Sequence, residues 1–163
     1  PNELIRGAGN AEGGSALTSR TLPGRMYTFF YDPKTKRDLP YYDRFPLIFK
    51  IKNIDGGFLG INMHYLPPQL RARLMDALYP LVTNRKYDET TRLRLTYDIL
   101  NGATKYRFFK PTIKKYLNGH VRSRYVLINA NQWDMALFLP TERFVKKNKN
   151  FVWRESRRAI RRR

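Results

Sequence analysis

The chain contains no cysteine, so disulfides, thiolate nucleophiles and cysteine-ligated zinc are excluded together. Histidine is almost as scarce: His64 and His120 are the only two, and no HExxH or other two-histidine metal pattern occurs. No run of about 18 apolar residues is present, so no segment reads as a membrane-spanning helix. The first residues also lack the charged-then-apolar layout of a secretory signal. Acidic residues are few and scattered. Metal-dependent nucleases hold magnesium with clustered carboxylates, whereas Asp43 and Asp55 merely bracket one predicted strand and no Glu-x-Lys follows an Asp. Gly56, Gly57 and Gly60 belong to neither a GxGxxG turn nor a P-loop. These absences together predict a protein that is not an enzyme and carries no metal or cofactor.

What the chain has instead is positive charge on a foldable body. Its 163 residues include 32 Lys and Arg against 13 Asp and Glu, a net charge of +19. A compact state bears that repulsion when its working partner is a polyanion, nucleic acid first, an anionic membrane surface or acidic protein second. An apolar fraction of 42% with 14% aromatics supplies material for a core, which a disordered basic protein would lack.

The stretch from Leu39 to Leu81 organises the rest. Two apolar runs, Phe45 to Ile54 and Phe58 to Leu66, flank Asp55-Gly56-Gly57, the kind of sequence that accepts positive φ in a tight hairpin. The second run, read as strand throughout, puts His64 with Asn62 on one face, either as a hydrogen-bonded structural histidine or as a phosphate or metal contact. Pro67-Pro68 then stops the strand and suits a helix start, and Leu70, Leu74, Leu78 and Leu81 recur at helical spacing with Arg71, Arg73 and Asp76 off the stripe. Further strands are predicted at Met26 to Tyr31 and Arg124 to Asn129. Helices are predicted from Asp88 to Asn101-Gly102, with Leu93, Tyr97 and Leu100 on one side, and from Pro111 to Leu117, with Ile113, Tyr116 and Leu117 inward and Lys114 and Lys115 outward. A third is predicted from Asn131 to Phe138, and a turn capped by Thr141 carries Phe144 and Val145. His120 would follow a helix C-terminus.

The predicted class is α+β: a small curved antiparallel sheet or an SH3/OB-like barrel with interposed short helices. Residues 1–24, rich in glycine, are expected to form a mobile arm or one ordered against a neighbouring subunit, residues 25–145 a single domain, and residues 146–163 a basic C-terminal tail or helix. From Thr141 to the C-terminus ten basic residues face only Glu142 and Glu155, with arginine all round any helix from Val152, so this end is expected to fray until an anion neutralises it. The candidate phosphate contacts are Arg143, Lys146, Lys147, Arg154, Arg157 and Arg158, then Arg71 and Arg73, then Lys114 and Lys115. Tyr41 and Tyr42, between Pro40 and Pro46, are either stacking platforms for bases or a packed corner.

The series LPYYDRFPLIF, GFLGINMHYLPP and LRARLMDAL, followed by Leu139-Pro140 to Phe144 and by Phe151-Val152-Trp153-Arg154, resembles the DNA end protector family of T-even-like tailed phages. The resemblance covers roughly residues 24 to 158. It implies a non-enzymatic virion protein, present in the particle and in the host cytoplasm during assembly or after DNA delivery, that binds the ends of double-stranded DNA and shields them from host exonuclease. A second reading stays open at this point: a structural component of the portal, neck or baseplate region, contacting acidic protein neighbours or DNA in transit. Either implies other virion proteins as partners and no membrane. A third, an RNA-binding module, fits the charge but no motif asks for it.

Overall fold

The computed structural model describes residues 16–83 and 110–161, with positions 86, 88, 90, 91, 94, 95 and 98 between them. At the centre stands the hairpin, β4 (Leu47–Ile54) and β5 (Gly57–Asn62), with Gly56 at φ 75° in the turn. Antiparallel strands extend it on both sides, β2 (Met26–Thr28), β7 (Tyr125–Ile128) and β1 (Ala16–Thr18) beyond β4, and β6 (Ile113–Leu117) beyond β5. A register shift between Lys50 and Lys52 places an extra residue in β4, and such bulges bend a sheet and raise its twist. The sheet is curved but open, ending at β1 and β6, so the barrel alternative is not realised. Closure would need those two edges to meet, and β1 is only three residues long.

Each face of the sheet buries a different core. On one side Met26, Leu47, Phe49, Ile51, Ile61, Val126 and Ile128 pack under Leu74 and Met75 of α1 (Pro68–Thr83) and Trp133, Ala136 and Leu137 of α2 (Trp133–Phe138). On the other, Phe29 meets Tyr31, Phe58, Tyr116 and Tyr125 edge to face, with ring centroids 5.2–6.2 Å apart. Edge-to-face contact sets the positive rim of one ring against the negative face of the next.

Several predicted elements change type. The helix expected from Pro111 is a single 3-10 turn, Lys110–Thr112, followed by strand β6. Its apolar spacing suits a helix, but β5 offers a free row of backbone donors and acceptors, and five consecutive residues of β6 pair with it. Alternation then puts Lys114 beside Tyr116 on the inner aromatic face and only Lys115 outside. His120 consequently ends a 3-10 turn, Asn118–His120, rather than following a helix, and its Nδ1 lies 3.0 Å from the Asp32 carbonyl.

Strand β5 likewise stops at Asn62, whose side chain accepts the His64 amide and opens a 3-10 turn, Met63–Tyr65. Helix α2 is entered through another such turn, Ala130–Gln132, not through a side-chain cap from Asn131. Thr141 caps no turn: Phe144 and Val145 form β8 (Phe144–Val145), which pairs with β3 (Tyr42–Asp43) in a second, two-stranded sheet. Asp88 accepts the Thr91 amide at 2.6 Å, the contact of a helix N-cap, while Leu93, Tyr97, Leu100 and Asn101-Gly102 lie outside the described residues. The expected arm falls there too for residues 1–15, and its later part supplies β1.

The basic C-terminus forms α3 (Lys149–Arg161). Asn148 caps it by accepting the Phe151 amide, and Val152 and Ser156 are buried on its inner side with Ile160 packed against the main core. At about 100° per residue, Arg154, Arg157, Arg158 and Arg161 fall within one sector opposite that buried stripe, and all four are exposed. Arginine is therefore not spread all round the helix, and burial of a one-sided apolar stripe holds it in place.

Candidate nucleic-acid interface

What positions α3 is a buried polar knot. The Asp43 carboxylate, at the end of β3, accepts four hydrogen bonds: Oδ1 from the amides of Phe45 (3.0 Å) and Arg143 (3.1 Å), Oδ2 from Asn62 Nδ2 (3.1 Å) and His64 Nδ1 (2.6 Å). His64 Nε2 lies 3.0 Å from the Thr141 hydroxyl. Burial pushes the Asp43 carboxyl up, but the His64 imidazole, the Asn62 amide and the Arg143 N–H outweigh it and hold the group below its ordinary value. An Asp, His and hydroxyl in a row invite comparison with a hydrolase, yet the pair is fully enclosed, with side chains 1% and 0% exposed. Its work is structural: it ties β3, the Met63–Tyr65 turn and the approach to β8 to one point.

The next turn outward carries α3. Trp153 Nε1 donates to the His64 carbonyl at 2.8 Å, and Phe151 meets Tyr41 with centroids 6.1 Å apart. Arg71, placed among the candidate phosphate contacts, lies inside the protein. It is 1% exposed, its Nε donates to Leu66 O (2.8 Å) and its Nη1 to Leu137 O (2.5 Å), and its guanidinium stacks 5.6 Å from the Trp153 ring. Desolvation pushes its pKa down to about 10, against the pull of Glu142 and Asp43, so the cation persists at neutral pH. The helical stripe of α1 does not foretell this, because the site for Arg71 is built by α2 and α3, which are remote in sequence.

The other candidates divide. Arg154, Arg157 and Arg158 share the exposed α3 sector, with Arg158 3.1 Å from Glu155, and Arg161 joins them there. Lys147 is exposed beside them, its ammonium 4.8 Å from the Phe151 ring. Arg143 is exposed but folds back onto the carbonyls of Pro140 (3.4 Å) and Glu142 (2.8 Å). Lys146, at φ 78°, donates to the carbonyls of Lys36 (2.6 Å), Arg37 (3.1 Å) and Leu39 (2.6 Å), so its ammonium clamps the 36–39 loop. Arg73 is exposed on α1 and Lys115 on β6, apart from α3 in sequence and element.

Lys114 is turned inward, its Nζ 4.1 Å from the Tyr65 ring, and desolvation lowers its pKa. It lines a cavity of about 320 Å³ with Tyr31, Tyr41, Tyr42, Tyr65 and Tyr116, and Lys34 and Lys115 also contribute. Tyr41 and Lys114 also line a second cavity of about 230 Å³, shared with Glu155, Ser156 and Arg158 of α3. Tyr41 is thus a packed corner, against Tyr65 and Phe151, and a cavity wall as well. Sequence reasoning missed this tyrosine cluster, because its members come from four separate segments. A further cavity of about 530 Å³ includes Arg20, Lys50 and Arg124 in its lining. Lys50 is occupied there, donating to Thr21 O (3.1 Å) and Oγ1 (2.6 Å).

Among the described residues no group of three or more His, Asp or Glu is placed to hold a metal ion. No helix among them is long and apolar enough to cross a membrane. No curated protein and no solved structure matches the chain. A family model does match, over residues 13–158, and the chain belongs to the family of the Phage T4 terminal DNA protecting protein.

Proposed function

We propose that the protein binds the ends of phage double-stranded DNA without sequence preference, travels with the genome in the virion, and shields those ends from host exonuclease as a non-enzymatic cap. One observation carries the reading: α3 is docked by its apolar stripe and presents Arg154, Arg157, Arg158 and Arg161 together to solvent. Guanidiniums aligned on a fixed support suit the regular charge of a phosphate backbone, where release of condensed counterions drives strong, salt-sensitive, sequence-independent binding. The description of the family supports aiming that grip at DNA termini.

The test compares linear and circular duplex of equal length across a salt series, followed by exonuclease challenge of the complexes. Preferential binding of linear DNA, with bound ends resisting digestion, is the expected result. Equal binding of both forms with no protection would transfer the charge to particle assembly, at the portal, neck or baseplate.

A further inference from the structure

Lys114 presents an unusual combination. Its side chain is half-buried, and among the described residues its ammonium has no carboxylate or carbonyl partner, only the face of Tyr65. A desolvated cation without an anion is costly, and Lys114 sits on a cavity wall rather than in packed core. The carboxylate on that wall, Asp43, is saturated by its four donors and turned to His64. At about 320 Å³ the cavity lies at the small end of ligand pockets, the size of one nucleotide and far short of a duplex. Of its tyrosines Tyr41 and Tyr42 are only half-buried, and an aromatic face can stack with any base regardless of identity. The second cavity shares Tyr41 and Lys114 with the first and is also lined by Arg158 of the α3 arginine sector, so the two features are neighbours.

We infer that this tyrosine-lined cavity receives the terminal nucleotide of a DNA strand, its base against the tyrosines and its phosphate on Lys114, while α3 holds the adjoining backbone. The inference rests on the end-binding reading and deepens it, since a pocket for one nucleotide distinguishes a terminus from duplex interior. Glu155, on the wall of the second cavity, is paired with Arg158 at 3.1 Å, which weakens its repulsion of the strand.

Two variants of the full chain test it. Lys114→Gln removes the half-buried cation, and Thr35→Trp adds bulk at an exposed position of the cavity lining without deleting any contact. The readout is the ratio of affinities for a 5′-phosphorylated linear duplex and a closed circle of the same length, at one salt concentration, on protein whose thermal melting is unchanged. Stacking of one base contributes enough that its loss lowers the ratio about tenfold, with affinity for the circle nearly unaltered. A wild-type preference for linear DNA that survives in both variants overturns the cavity proposal alone. A wild type indifferent to ends overturns the end-binding reading, and this proposal with it.

Discussion

Replacing Arg154, Arg157, Arg158 and Arg161 together by glutamine removes the exposed cationic sector of α3 while leaving its buried stripe of Val152, Ser156 and Ile160 in place. Each phosphate neutralised on B-DNA contributes about 0.9 to the slope of log affinity against log salt. Four contacts therefore account for a slope of about 3.6, and over a fourfold rise in salt, from about 50 to 200 mM, the wild type should lose roughly 150-fold more affinity than the variant. Arg158 contributes least, because Glu155 already neutralises part of its charge at 3.1 Å. Stability should not fall, since surface substitutions typically stay within about 0.5 kcal/mol each and four like charges are being removed. The assay is fluorescence anisotropy of a labelled linear duplex across the salt series, with thermal melting as the folding control. A slope altered by less than about 1, in a variant that melts like the wild type, would show that α3 is not the phosphate grip.

Two further predictions concern the scaffold. Asp43→Asn breaks a buried charged network and should cost about 3–5 kcal/mol in urea denaturation at neutral pH. Because Asp43 is held below its ordinary value, its contribution is present above about pH 4 and is lost as pH falls through the depressed folded value, so the gap between variant and wild type should narrow only on strong acidification. A gap that instead widens toward acid would mean the carboxylate is not stabilised by its neighbours. Gly57→Ala places a Cβ against the Tyr116 carbonyl of the neighbouring strand and should destabilise the fold by about 1–3 kcal/mol; no change in the denaturation midpoint would mean that β5 and β6 separate easily.

Much of this architecture is written locally. The Asp55-Gly56 turn, the stop at Pro67-Pro68 and the Leu70 and Leu74 stripe are short-range signals, and the hairpin and α1 form where they predict. The strand expected at Arg124 to Asn129 forms as β7, with Val126 and Ile128 on the helix-covered face and Tyr125 and Leu127 on the other. Charge and composition are global sums, insensitive to folding, so the expectation of a polyanion partner can be drawn without coordinates.

What the tertiary structure alone decided is where the special side chains point. Residues 113–117 carry apolar spacing fit for a helix, and the unpaired edge of β5 makes them a strand, which turns Lys114 inward. Arg71 is off the apolar stripe of its own helix, yet carbonyls at Leu66 and Leu137 and the ring of Trp153 enclose it. Phe144 and Val145 become a strand because Asp43, a hundred residues earlier, anchors the Arg143 amide. Arginines that look evenly distributed along residues 154–161 are gathered to one side only once Val152 and Ser156 have a core to enter. Composition and turn chemistry act through neighbouring residues and so determine the class of protein and its hairpin. The interface and its tyrosine cavity depend on contacts between distant segments, whose free energy exists only in the assembled fold.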